Sequence, residues 1–99
     1  MSETYTSGLW IVKPGEEDAF VAAWREFVTW AAEQEGHGTS RLLQDTDNPA
    51  HFLSFSPWDT PEAQEHWRSQ KEFSERIGRV RDHCSEFVPS IYHLVAQVD

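Results

Sequence analysis

The segment His51-Phe52-Leu53-Ser54-Phe55-Ser56-Pro57-Trp58-Asp59-Thr60-Pro61 restricts the possible folds more than any other stretch of this chain. A run of β character closes on a tryptophan, and a helix start follows at once. Asp59 or Thr60 can cap that helix, since a short polar side chain accepts a hydrogen bond from a first-turn amide. Pro61 suits the first turn, where its missing N–H costs nothing. Strand therefore passes into helix without a linker, and the two must stack as layers of one unit.

The flanking sequence supplies the rest of that unit. Tyr5 to Val12 reads as a strand, with Leu9 and Ile11 alternating against Trp10 and Val12, and Pro14-Gly15 breaks it. Glu16, Glu17 and Asp18 place negative charge in a first helical turn, where the macrodipole favours it. Phe20, Ala23, Trp24, Phe27, Trp30 and Ala31 then recur at helical spacing, which predicts one apolar stripe on a helix reaching about Gln34. Gly36 and Gly38 end it.

A second strand is expected over Thr39 to Gln44. Asp45-Thr46-Asp47-Asn48-Pro49 is turn chemistry that leads by a hairpin into the third strand, His51 to Ser56. Ala63 and Trp67 share a face of a short helix, interrupted at Ser69 or Gln70. Phe73, Ile77, Val80 and Cys84 stripe a longer helix, whose outer face pairs Glu72 with Arg76 and Glu75 with Arg79. The last strand is expected from Phe87 to Val98, with Pro89 marking a kink, an edge or a late start.

The order β-α-β-β-α-β predicts an α+β, ferredoxin-like split βαβ arrangement, one antiparallel sheet with its helices on one face, as a single domain over residues 1–99. In the third strand Leu53 and Phe55 point one way and Phe52 with Trp58 the other. Helices cover only one face of such a sheet, so an apolar second face calls for a partner. A symmetric homodimer is the commonest solution.

Composition removes several functions. With 8 Lys plus Arg against 17 Asp plus Glu, the formal net charge of −9 repels phosphate backbones and anionic lipid, so neither nucleic acid nor a membrane surface is an expected partner. Cys84 is the only cysteine, which rules out an intrachain disulfide and a thiolate metal cluster. The first residues lack the basic-then-apolar pattern of a signal peptide, and nothing approaches a membrane-spanning run, so a cytoplasmic location is expected. Gly-rich phosphate loops, dinucleotide fingerprints, Gly-x-Ser-x-Gly elbows and Cys-x-x-Cys pairs are absent, which leaves flavin or nicotinamide dependence without support.

On Trp10-Ile11-Val12-Lys13-Pro14-Gly15 entering a long helix, on Phe52 to Trp58, and on the helix with Trp67 and the Ser69-to-Phe73 break, the chain resembles the antibiotic biosynthesis monooxygenase family over nearly its whole length. The resemblance implies a dimeric α/β barrel. In its anthrone-oxidising members a Trp closes strand three, with an Asn four residues before it and a Tyr six after. Trp58 matches the Trp, while Ser54 and Gln64 stand at the other two positions. In its haem-degrading members an Asn on strand one, a Trp on helix two and an axial His on helix three define the site. Trp67 matches that Trp, but Gly8 and Ile77 replace the Asn and the His, so no axial iron ligand is present at that position.

The resemblance thus implies a cofactor-independent monooxygenase that oxidises a small electron-rich aromatic with O₂, with Trp58, Ser54 and Gln64 as candidate catalytic residues. Gly8, Trp10, Phe52, Ser56 and Trp67 are expected to line the pocket, small residues opening a space that tryptophans wall, with His66 at its rim. The competing expectation is a non-catalytic homodimer of the same fold that binds a hydrophobic small molecule or serves a structural role. In that case the small residues merely make room for the large ones.

No metal site is expected. Glu62 and His66 form the one helical i,i+4 acid–imidazole pair, which a solvated face explains more simply. His83 is expected at a helix C-terminal dipole. His93, alternating with Ile91 and Val95, is expected toward the dimer barrel.

Overall fold

A computed structural model describes residues 3–99. Four strands, β1 (Thr4–Val12), β2 (Arg41–Gln44), β3 (His51–Trp58) and β4 (Cys84–His93), form one antiparallel sheet in the order β2-β3-β1-β4. Three helices, α1 (Glu17–Ala31), α2 (Pro61–Arg68) and α3 (Lys71–Arg81), pack on one of its faces. This is the α+β, split βαβ architecture that the element order predicts.

Register explains which residues enter the core. Thr4, Gly8, Trp10 and Val12 of β1 turn toward the helices, as do Phe52, Ser54, Ser56 and Trp58 of β3. Against them α1 presents Phe20, Trp24, Phe27 and Trp30, which are buried as their spacing requires. Phe20 and Val80 are fully buried, and Phe20 packs on Phe52 with ring centroids 4.9 Å apart.

Two helix ends show how sequence sets the boundaries. α1 ends at Ala31, three residues before the expected limit, with the last regular bond from Ala32 N–H to Val28 O. The chain keeps turning because Glu33 N–H donates to Trp30 O and Gln34 N–H to Ala31 O, the tighter i→i−3 pattern common at helix ends. At α2, Thr60 is the cap: its Oγ1 accepts from Ala63 N–H at 3.1 Å, with Pro61 in the first turn. In the β2–β3 turn, Asp45 Oδ1 accepts from Asp47 N–H (2.8 Å) and Asn48 N–H (3.2 Å).

The last strand differs from expectation at both ends. It starts at Cys84 rather than Phe87, because an irregularity between Ile11 and Val12 lets Val12 pair with Cys84. Cys84 therefore opens the strand instead of closing the stripe of α3. The strand stops at His93 rather than Val98, because its partner β1 begins at Thr4, which pairs with His93. After Leu94 N–H donates to Glu3 O, Val95 and Val98 project into solvent. Pro89 lies within this strand, which is tolerated because β4 is an edge.

The structure corrects one histidine and adds a partner to another that lies, as expected, at a helix C-terminus. His93 lies opposite the buried Thr4 and so belongs to the helix-covered side, not to the open face. His83, just past α3, shares a 2.9 Å hydrogen bond with Glu16 Oε1 before α1 and ties two helix ends together. The α3 surface pairs form as expected, Arg79–Glu75 at 2.8 Å and Arg76–Glu72 at 3.4 Å.

The face without helices carries Leu43, Leu53, Leu9 and Val88. Pairwise register places these four side by side, one per strand, across the whole sheet. They are between 39% and 52% exposed.

Candidate functional site

A cavity of about 230 Å³ lies between the covered face of the sheet and the helices. Trp24 and Phe27 of α1, Trp67 of α2 and Phe73 and Ile77 of α3 wall it on one side. The sheet supplies Thr6, Trp10, Ser54, Ser56 and Phe87. Val28 and Ala31 add to the α1 wall, and Ser7, Ser90 and the exposed Arg68, Pro89 and Ile91 extend the lining to its mouth. The volume is below the usual range for drug-sized ligands, about 300–1,000 Å³, so the space suits one small flat molecule.

Its polar groups are few and held in place. Trp10 Nε1–H donates to Ser54 Oγ at 2.9 Å, a buried bond between adjacent strands. Trp10 also stacks on Phe87, centroids 3.9 Å apart and planes 18° from parallel. Gly8 makes this possible, since a Cβ there would come within 2.7 Å of Trp10 Nε1 and 2.9 Å of the Phe87 ring. Trp67 Nε1, by contrast, is buried without a hydrogen-bond partner among the described residues. Such an orphan donor in a pocket wall is costly unless something else satisfies it.

Of the residues singled out by sequence, Trp10, Ser54, Ser56 and Trp67 are brought together on this cavity. Trp58 stands behind the wall: it is buried, stacks on Trp67 at 5.0 Å, and its Nε1–H donates to Thr6 Oγ1 at 3.0 Å. Gly8 lies beneath Trp10 and Phe87 rather than on the lining. Phe52 belongs to the core around Phe20. Gln64 is buried beside Trp67 on α2 but off the cavity, its Oε1 3.5 Å from Arg68 Nη1. His66 is exposed and off the lining, because α2 turns Gln64 and Trp67 inward and leaves the Glu62–His66 side to solvent.

Sequence reasoning missed Arg68 and the α1 and α3 walls. Arg68 is the one cation on the lining, and it was signalled only by adjacency to Trp67. Trp24, Phe27 and Ile77 read equally well as core. Cys84 is no nucleophile candidate: burial pushes its thiol up to about 11, which leaves little thiolate at neutral pH.

A ferredoxin-like sheet with an aromatic-walled space beneath its helices defines the structural class. The family model for antibiotic biosynthesis monooxygenases matches residues 9–79, and the chain belongs to that family. Solved structures agree in fold. A protein of Nitrosomonas europaea assigned to the antibiotic biosynthesis monooxygenases is 21% identical, with a TM-score of 0.78 over 91% of this chain and 88% of that one. A similarly assigned protein of Bordetella bronchiseptica is 18% identical, with a TM-score of 0.83 over 99% and 100%. SnoaB of Streptomyces nogalater, a cofactor-independent oxygenase, is 15% identical, with a TM-score of 0.78 over 99% and 95%. No protein of curated function matches by sequence. No helix among the described residues is long and apolar enough to cross a membrane.

Proposed function

We propose that the protein is a homodimeric, cofactor-independent monooxygenase that uses O₂ to oxidise a small electron-rich aromatic of the anthrone or hydroquinone type. The observation that carries this reading is the cavity itself: a tryptophan-walled space with the buried Ser54 and Ser56 on its sheet side and one arginine at its margin, in a member of a monooxygenase family. For an anthrone, the ionised substrate reduces O₂ directly, a ring CH₂ becomes C=O, and the second oxygen leaves as water. The protein then has to hold the ring away from water, assist loss of a proton and stabilise the anion. Trp10 and Trp67 are the walls, Ser54 and Ser56 the hydroxyl contacts, and Arg68 the charge that favours an oxyanion. Trp58 acts indirectly, by fixing Trp67.

A non-catalytic ligand-binding dimer is the second reading. It is favoured by Ser54 Oγ already accepting from Trp10 and by Gln64 lying off the cavity. Oxygen uptake with a panel of anthrones and hydroquinones separates the two. The monooxygenase reading expects uptake above buffer that falls at least ~10-fold in Trp67→Ala, a loss of positioning. Binding of these compounds without any uptake would leave the second reading standing.

A further inference from the structure

We propose that His37, Ser40 and Ser56 form a proton relay that carries a proton from a ligand hydroxyl in the cavity to the His37 imidazole. The inference rests on the monooxygenase reading and supplies the base which that reading lacks. Ser56 lines the cavity. Its Oγ lies 2.6 Å from Ser40 Oγ, and Ser40 Oγ lies 3.0 Å from His37 Nε2. Ser40 also borders a second, more open depression with Arg25 and Leu42, so the string runs from the interior toward solvent.

The imidazole is held in place by both backbone and ring contacts. Gly38 N–H donates to Pro57 O and Asp59 N–H to Gly36 O, both at 2.8 Å, which clamps residues 36–38 against the end of β3. The His37 ring meets Trp58 edge-on, centroids 4.9 Å apart. The flanking glycines permit this closeness. Gly36 has φ +86°, and a Cβ on Gly38 would come within 2.7 Å of Pro57 Cγ. His37 Nδ1 is buried without a partner among the described residues. A purely structural histidine would ordinarily have both nitrogens satisfied.

The transfer balances in three moves. The O–H proton of a hydroquinone, or of the anthrol tautomer of an anthrone, passes to Ser56 Oγ, the proton Ser56 held passes to Ser40 Oγ, and the proton Ser40 held passes to His37 Nε2. Both serines end neutral, leaving a ligand oxyanion beside Arg68 and an imidazolium at His37. The resting imidazole must therefore carry its proton on Nδ1, a buried N–H without an acceptor among the described residues whose cost the relay has to offset, and offer a lone pair at Nε2. Burial lowers the pKa of His37, so the ring is neutral at neutral pH and ready to accept. Glu33 and Glu35 in the turn after α1, Arg41 beside Ser40, Asp59 at the end of β3, and Glu62, Glu65, His66 and Arg68 on α2 are the charged or titratable groups of the segments around the ring, and no ion pair joins any of them to it among the described residues.

Two measurements test the relay. In ligand-free ¹⁵N-labelled protein, long-range ¹H–¹⁵N correlations are expected to show the Nδ1–H tautomer of His37; the Nε2–H tautomer overturns the proposal. With dithranol (1,8-dihydroxyanthrone) as substrate, kcat should fall on an acidic limb below the usual imidazole midpoint. His37→Gln and, separately, Ser40→Ala should each cut kcat by about 100-fold and abolish that limb, with KM little changed, whereas Ser40→Thr keeps the hydroxyl and most of the rate. If the wild type turns dithranol over and His37→Gln retains both rate and limb, the relay alone fails. If the wild type oxidises no anthrone or hydroquinone, the monooxygenase reading fails and the relay goes with it.

Discussion

Ser54 has a different part from the one its sequence position suggests. Four residues before Trp58 it reads as a polar contact for a ligand, and it does line the cavity, but its hydroxyl also satisfies the buried Trp10 indole. Ser54→Ala should therefore destabilise the fold by ~1–3 kcal/mol, because it strands a buried N–H. In a Trp10→Phe background the same substitution should cost much less, since no donor is left to strand. Urea unfolding of the two single variants and the double variant measures this, and equal losses in both backgrounds would show that the bond contributes nothing. Individual tryptophans were legible as large apolar anchors. The link from His37 through Ser40 to Ser56 was not, because it joins residues up to 19 positions apart through the pairing of β3 with the segment before β2. Gly36 and Gly38 showed only that a helix ended there.

At the level of elements, type and order could be read from periodicity, and the errors sit where a neighbour decides. The core stripe of α1 and the capped start of α2 are local properties, and both emerged as expected. The limits of β4 are set by β1: a local irregularity extends pairing back to Cys84, and the start of β1 at Thr4 ends it at His93. Nothing within Phe87 to Val98 encodes either limit. Because α2 carries Trp67 on only eight residues, its start depends on the cap more than a long helix would. Thr60→Ala should lower the unfolding free energy by about 1 kcal/mol, and Thr60→Ser should restore most of it. Chemical denaturation monitored by tryptophan fluorescence checks both. A loss within error for Thr60→Ala would mean that packing of Trp67 alone holds the helix start.

For the whole molecule, the decisive feature is the sheet face that no helix covers. Alternation in β3 separated Leu53 and Phe55 from Phe52 and Trp58, so the existence of a second apolar face was legible. The alignment of Leu43, Leu53, Leu9 and Val88 into one row was not, since it depends on three registers at once. Joining two copies face to face would bury eight such half-exposed side chains at ~1 kcal/mol each, on the order of 8 kcal/mol in all. That is comparable with the ~4–15 kcal/mol that association costs in lost freedom, so the proposed dimer depends on every member of the row. Leu9→Glu should weaken dimerisation by at least ~100-fold, because it removes an apolar contact and buries a carboxylate from each copy. Each chain also carries a formal charge of −9, so pairing two chains opposes like charges and added salt should tighten the dimer by screening them. Sedimentation velocity across a dilution series, at low and high sodium chloride, reads both effects. A wild type that stays monomeric at every concentration, or a Leu9→Glu variant that pairs as tightly as the wild type, would remove this face from the interface.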